Sequence, residues 1–526
     1  MEKRIYTVAV DLGTSNIVVI AGSKNPDGTV HIEKVVSKPS EGINAGEIEN
    51  IASAGNTIRA AIDEMSQALG VRINEVYTGI SGHFMRCESY TDHVFTMDSQ
   101  SGVSQHDVDA LFARMDNVQA PKDEVIMERI PQNYVLDDNR EVKNPVGSFG
   151  RRLSATFKFI LCESTPLERL NLVFDRLGIT VLGVYPSMLT TAEVVTMPDE
   201  KDEGVAVVDL GGGKTDVTVI HKGVVRYAAS LPIGGIVVNN DICTLGIPER
   251  AVELLKVKHG SAMPELVERR KLLKINGSPR QAKEILAFNL AKVIEARMMD
   301  ITDMVKNELR DSGYFLKLGY GIVLTGGGER MLNVAELFRR ELGLDVRLST
   351  IDLLNKNDNE NKPAYATALG LLMRGLSDGR SSIEANIQPA TVAQGGSNSN
   401  QPAQRPTTGT TAGSTTNTAG GASASGAGQT AGGGATPYGG VRRIRGGNDD
   451  GGKISGGDNR NEVIGGTNGG SVSGGNTNGG ESGGDGNDNG GDAPKPKSKM
   501  FSGWSERFKS LINGAFNADD EPDEVL

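Results

Sequence analysis

Asp11-Leu-Gly-Thr-Ser-Asn16 and Asp209-Leu-Gly-Gly-Gly-Lys-Thr-Asp216 are the two stretches whose reading decides the fold. Each sets an aspartate at the end of an apolar, β-branched run, and a glycine-containing turn then leads into a second such run. Around the first turn, Ile5–Val10 and Asn16–Ala21 read as strands and Val30–Ser37 as a third. Around the second, Gly204–Leu210 and Asp216–His221 read as strands, followed by Val224–Ala229. The same outline occurs twice, about 200 residues apart, which predicts a duplicated α/β fold with two similar lobes facing a cleft. Between the repeats, Ile51, Ile58, Ile62 and Leu69 carry helical spacing over Ile51–Leu69, and Gly70 ends it.

The chemistry of the turns points to a polyphosphate. Glycines let the backbone approach closely, so that peptide N–H groups and the hydroxyls of Thr14 and Ser15 cradle oxygens. Asp11 and Asp209, each ending its strand, are placed to hold Mg²⁺ through its waters, since magnesium keeps several waters and needs few carboxylates. Gly326, Gly327 and Gly328 follow the apolar strand Gly321–Thr325 and precede a helix, which suits contact with a nucleoside and its α-phosphate. A turn that merely closes a hairpin would explain either aspartate–glycine pair alone, but not both in order with the later glycine triplet. The chain has no GxxxxGK[ST] loop, and its glycines close β-turns, unlike a dinucleotide-binding fingerprint.

These motifs resemble the ATPase superfamily of actin, heat-shock chaperones and sugar kinases, and within it the FtsA family of bacterial cell-division proteins. The supporting strings are Ile130-Pro-Gln-Asn-Tyr134, Lys143-Asn-Pro-Val-Gly147, Val207-Val-Asp-Leu-Gly-Gly-Gly213, Lys256-Val-Lys-His-Gly260, Gly321-Ile-Val-Leu-Thr-Gly-Gly-Gly328 and Tyr365-Ala-Thr-Ala-Leu-Gly-Leu371. The first two lie in an insert that resembles the subdomain peculiar to FtsA.

The resemblance implies an actin-like (ribonuclease-H-like) fold with these divisions: 1–83 with 166–203 and 346–384 as subdomain 1A, and 84–165 as the inserted 1C. Residues 204–235 with 304–345 form 2A, and 236–303 form 2B. It assigns Asp11, Gly13, Thr14, Ser15 and Asn16 to the first phosphate loop, and Asp209, Gly211, Gly212, Gly213 and Lys214 to the second. Gly326–Gly328 become the adenosine motif. Glu253 and Lys256, three apart on one helix face, resemble an adenosine-contacting pair, a surface ion pair being the alternative. Ala368 and Gly370 match a connecting helix where small residues allow hinging, and helix packing explains them equally.

Three departures bear on activity. Asn16 stands where actin and many FtsA relatives carry a phosphate-directed lysine. Lys214 stands where threonine is commoner. Around Tyr185-Pro-Ser-Met188 there is no Glu or Gln to orient an attacking water. Phosphoryl transfer needs such positioning, so ATP binding with slow or negligible hydrolysis is expected.

Composition separates a folded body from a biased tail. Of 526 residues only 37% are hydrophobic, and nearly half of the 68 glycines fall between Gly395 and Gly491. Residues 385–499, rich in Gly, Ser, Thr and Asn, offer little to bury and read as a disordered linker. A coil of that length spans about 50–60 Å on average. The stretch 500–516 then reads as an amphipathic helix. Phe501, Trp504, Phe508, Leu511, Ile512, Ala515 and Phe516 fall in an arc of about 140°, flanked by Arg507 and Lys509. Such a face suits a membrane interface, and Lys495, Lys497 and Lys499 add attraction to anionic lipid. Docking into a protein groove is the alternative. The acidic tail 517–526 opposes lipid binding. A net charge of −11 argues against nucleic acid, and Cys87, Cys162 and Cys243 show no disulfide or zinc spacing.

As a member of this family, the chain is expected at the cytoplasmic face of the cell membrane at the division site. There it would tether filaments of the tubulin-like FtsZ, self-associate into actin-like filaments and help recruit later division proteins. The expected partners are the FtsZ C-terminal tail, held in the second small subdomain near Arg297, Asp300 and Met304, and inner-membrane lipid. For those three residues an ordinary solvated helix face is the alternative. The rival functions are a kinase of the same superfold and a PilM-like pilus scaffold.

Overall fold

A computed structural model describes residues 3–97, 102–138, 140–275, 283–351, 353 and 362–386. The terminal helix, the acidic tail and all but the first two residues of the linker lie outside the described residues. Two sheets of like topology carry the fold. In the first lobe the order is Val30–Pro39, Asn16–Lys24, Lys3–Leu12, Glu75–Ile80, Thr180–Pro186, with Ile383–Asn386 also pairing the Lys3–Leu12 strand. In the second it is Val224–Leu231, Thr215–His221, Val205–Leu210, Ile322–Thr325, Val346–Leu348. In both, the first three strands pair antiparallel and the last two extend the sheet in parallel. The predicted duplication is thus present strand for strand.

The strands read as unbroken apolar runs because both sheet faces are covered. In the first lobe Val8, Val10, Ile17 and Val19 face a core completed by Ile58, Ile62 and Met65 of the helix Ile51–Leu69. Ala9, Val18 and Ile20 face the opposite way, onto Leu369 and Leu372 of the helix Ala366–Asp378. That second core also takes in Val205, Val207 and Val323, so it is shared by both lobes. The helix Ile51–Leu69 has the predicted bounds. Asn50 Oδ1 accepts from the N–H groups of Ala52 (3.0 Å) and Ser53 (3.1 Å), and Gly70 closes the helix at φ 66°.

Between Ile80 and Thr180 the chain builds the insert, an antiparallel sheet ordered Met85–Phe95, Arg152–Glu163, Glu124–Leu136, Arg140–Val142. The helix Gln105–Asp116 packs Leu111 and Met115 against Phe157 and Phe159. In the second lobe, the helices Gly235–Cys243, Glu249–His259 and Ala287–Asp311 stand between the strands Val224–Leu231 and Ile322–Thr325. No described helix is long and apolar enough to cross a membrane.

Two helices, Ser187–Val195 and Ala366–Asp378, join the lobes. A Cβ on Gly370 would lie 2.2 Å from the Thr190 carbonyl oxygen, so glycine is what lets these two helices touch backbone to side. The packing explanation for Gly370 therefore has a direct structural basis.

Candidate functional site

Strand register sets the geometry of both turns. Leu12 pairs Ile17 in the first hairpin and Leu210 pairs Thr215 in the second, so Gly13–Asn16 and Gly211–Lys214 are equivalent four-residue turns. By this register Asn16 corresponds to Lys214, and Val18 to Asp216. The turns come from different lobes and pack on one another. A Cβ on Gly213 would lie 2.6 Å from Thr14 Oγ1 and 2.9 Å from the Ala45 nitrogen, so only glycine permits the approach.

Behind the turns lies a cavity of about 310 Å³, lined by Asp11, Gly13, Thr14, Ser15, Asn16, Asp209, Gly211, Gly212, Lys214, Glu253, Lys256, Gly326, Gly327 and Gly328. Gly213 is the one phosphate-loop residue from the sequence reading outside this lining, and it holds the two turns together instead. Thr14 Oγ1 and Asp216 Oδ1 are buried with no hydrogen-bond partner among the described residues. Buried polar atoms are rarely left unpaired, and the Thr14 hydroxyl lies in the turn where phosphate oxygens are expected.

Charge is concentrated at the base of the cavity. Burial pushes the Asp11 carboxyl up to about 7, with Lys214 opposing and Asp209 and Asp216 adding to the rise. Burial likewise lifts Asp209 to about 6, against the pull of Lys214 and a hydrogen bond from Thr367 (3.4 Å). Burial disfavours the Lys214 ammonium, yet Asp216, Asp209 and Asp11 together outweigh it and hold its pKa above the usual value. Lys214 Nζ donates to Asp216 Oδ2. Ser81, from the first lobe, donates to the same oxygen at 2.8 Å. Among the described residues no group of three or more His, Cys, Asp or Glu side chains is arranged to hold a metal ion.

Glu253 and Lys256 share the helix Glu249–His259 and form an ion pair at 2.8 Å on the cleft wall. Asn239 Nδ2 donates to Glu253 (2.7 Å), and Lys256 Nζ donates to the Gly235 carbonyl (3.1 Å). The Gly235 N–H in turn donates to the Gly211 carbonyl (2.9 Å), which ties this helix to the second turn.

Arg297, Asp300 and Met304 lie on the helix Ala287–Asp311 and do not line the cavity, although Met298 and Ile301 of the same helix do. Arg297 is largely buried. It forms a two-pronged pair with Asp241 (2.6 and 3.1 Å) and reaches Asp300 at 3.1 Å. In the segment Tyr185–Met188, Ser187 lines the cavity, Tyr185 stacks on Tyr77 and Met188 is buried. The candidate membrane residues Phe501, Trp504, Arg507, Phe508, Lys509, Leu511, Ile512 and Phe516 lie outside the described residues.

Sequence reasoning passed over Asp216, Ser81, Thr367 and Arg330 as site residues, though Ser81, Thr367 and Arg330 line the cavity. Asp216 carried a signal: it is the one acidic residue of the buried strand Thr215–His221, where the first hairpin has Val18. Ser81 carried none, because its partner is 135 residues away in the other lobe.

Two lobes of one repeated topology, closing on a cleft through paired aspartate–glycine turns, define an actin-like protein. Residues 206–370 match the family model for cell division protein FtsA, and residues 85–161 match that for the SHS2 domain inserted in FtsA. The chain is 33% identical over 380 residues to the cell division protein FtsA of Pseudomonas aeruginosa, across 71% of this chain and 91% of that protein. It is 30% identical over 404 residues to the Escherichia coli K12 protein of that name, across 75% of this chain and 96% of the relative. The chain belongs to the FtsA family of cell-division proteins. Among solved structures it is similar to a PilM–PilN type IV pilus biogenesis complex, at 14% identity and a TM-score of 0.47, covering 70% of this chain and 98% of that one.

Proposed function

We propose that the cleft binds ATP with Mg²⁺ and turns it over slowly or not at all. The observation that carries this reading is the unpartnered, buried Thr14 hydroxyl inside two mutually packed turns. Gly13–Asn16 and Gly211–Lys214 would cradle the phosphates, and Gly326–Gly328 with Glu253 and Lys256 would face the nucleoside. Asp11 and Asp209 would hold Mg²⁺ through its waters, and the ion when bound supplies charge to the phosphate oxygens. Nucleotide acts here as a structural ligand that favours the closed arrangement of the lobes. Slow turnover is expected because the segment Tyr185–Met188, of which Ser187 lines the cavity, has no Glu or Gln to align an attacking water.

Family membership supports the wider reading of a tether in the division ring. In it the body, with the subdomain divisions expected from its sequence, self-associates and holds the C-terminal tail of FtsZ. The 500–516 helix attaches to the cytoplasmic face of the membrane, and later division proteins are recruited to the assembly. Arg297 is committed to Asp241 and Asp300, so of the three candidate tail contacts Met304 is the one outside that ion-pair network. The test is binding of an FtsZ C-terminal tail peptide to the full chain. Saturable binding in the micromolar range is expected. No binding at high micromolar peptide would leave a kinase or a pilus-type scaffold as the better description.

A further inference from the structure

We propose that the cleft selects its nucleotide by the size and stacking of the base and not by the base's hydrogen-bonding edge, which makes it a purine nucleotide site open to GTP as well as ATP. The inference rests on the nucleotide-binding reading above. Three helices of the second lobe and the segment after the glycine triplet build the wall concerned. Gly235–Cys243 contributes Ile236 and Val238, Glu249–His259 contributes Val257, Ala287–Asp311 contributes Met298 and Ile301, and Met331 follows the triplet. All six line the cavity. Val238, Met298 and Ile301 are buried and form a floor, whereas Ile236 and Val257 are 37% and 57% exposed, so two large apolar side chains of the lining stand uncovered.

This slot lies at the nucleoside end. Val257 adjoins Lys256, and the Lys256 ammonium donates to the carbonyl of Gly235, the residue before Ile236. A flat heteroaromatic ring buries apolar surface against such walls, and the methionine thioethers adapt to its edge. The polar side chains beside the slot are already engaged. Glu253 pairs with Lys256 at 2.8 Å and accepts from Asn239 at 2.7 Å. Arg330, another lining residue, only donates, so it offers no acceptor to the amino group that marks adenine. The backbone after the triplet is turned inward in the same way, with the Glu329 N–H on the Gly326 carbonyl (3.3 Å) and the Met331 N–H on the Gly328 carbonyl (3.1 Å). A site built to hydrogen-bond its ligand rejects one lacking that group by roughly 10⁴–10⁵, whereas apolar walls discriminate by roughly 10–200. Walls of this kind tell a two-ring base from a one-ring base by buried area, and adenine from guanine hardly at all.

The test displaces a fluorescent ATP analogue from the full chain with ATP, GTP, ITP and UTP, each with Mg²⁺. GTP and ITP should compete within about tenfold of ATP, and UTP should be weaker than ATP by more than about tenfold. Val257→Ser trims an exposed side chain of the slot, so circular dichroism should stay native. It should weaken ATP and GTP alike by about three- to tenfold, and leave their ratio within about threefold of wild type. ATP favoured over GTP by more than about tenfold, or UTP competing within about tenfold of ATP, overturns the proposal. So does a folded Val257→Ser that binds ATP as tightly as wild type or changes the ATP-to-GTP ratio further. Should Val257→Ser fail to fold, the wild-type series decides alone. Failure of every nucleotide to bind would defeat the nucleotide reading together with this one, while tight ATP binding with strong rejection of GTP defeats this one only.

Discussion

Gln132 of the insert and Arg226 of the second lobe hold each other through side chain and backbone. Arg226 Nη1 donates to the Gln132 carbonyl at 3.0 Å and to its Oε1 at 3.2 Å, while Gln132 Nε2 donates to the Val225 carbonyl at 2.9 Å. Four residues earlier on the same strand, Glu128 meets Arg374 of the connecting helix Ala366–Asp378 at 3.6 Å. One strand of the insert is thus fastened both to the second lobe and to the helix that joins the lobes. Gln132→Ala removes the side-chain half of the first contact and should cost about 1–2 kcal/mol. Hydrogen exchange should quicken in Glu124–Leu136 and Val224–Leu231, and leave Ile51–Leu69 unchanged. Uniform or absent change would show that the contact carries no load.

The packing of the two turns predicts a separable effect at Gly213. Gly213→Ala places a methyl group against Thr14 Oγ1 and the Ala45 nitrogen, and backbone at Ala45 cannot rotate away. The turns must part, so affinity for ATP should fall by about tenfold or more, while the melting temperature drops by only a few degrees. Unchanged affinity would mean that the approach of the turns does not shape the nucleotide site.

Glu128 gives a pH prediction. Burial pushes its carboxyl up to about 7, against the pull of Arg374 and with the help of Glu193. A carboxyl raised in the folded state stabilises it while protonated. That contribution is complete below the unfolded value of 4.5 and is lost as pH rises through about 7. In Glu128→Gln the site no longer titrates, and Arg374 keeps Glu193 at 2.9 Å. The variant should therefore gain on wild type between pH 5 and 8.5, by about 1–3 kcal/mol. Melting temperatures across that range provide the check, and parallel profiles would refute the burial effect.

Much of this was readable from the chain. The two aspartate–glycine turns, the strands beside them and the helix Ile51–Leu69 are local features, decided by side-chain period, a capping asparagine and a terminal glycine. Most strands ran one to three residues beyond the reading, as with Lys3–Leu12 for Ile5–Val10 and Asn16–Lys24 for Asn16–Ala21, because pairing with neighbours extends a strand past its apolar residues. Long-range pairs were not readable. Ser81 meets Asp216 and Glu128 meets Arg374 only after the lobes have assembled. Arg297 looked like a surface contact by helix position, and Asp241, 56 residues away, takes it into a buried pair. Lys214 was legible as a departure from its relatives, but its tie to Asp216 depends on the register of the second hairpin.

The central claim is that the cleft between the lobes is a nucleotide site, and calorimetric titration of ATP into the full chain tests it most directly. Wild type should bind one ATP per chain. Gly327→Val, at a cavity-lining position where an added Cβ meets no protein atom within 4 Å, should abolish the heat while circular dichroism stays native. Binding by Gly327→Val as tight as by wild type, or no binding by wild type at millimolar ATP, would contradict the account.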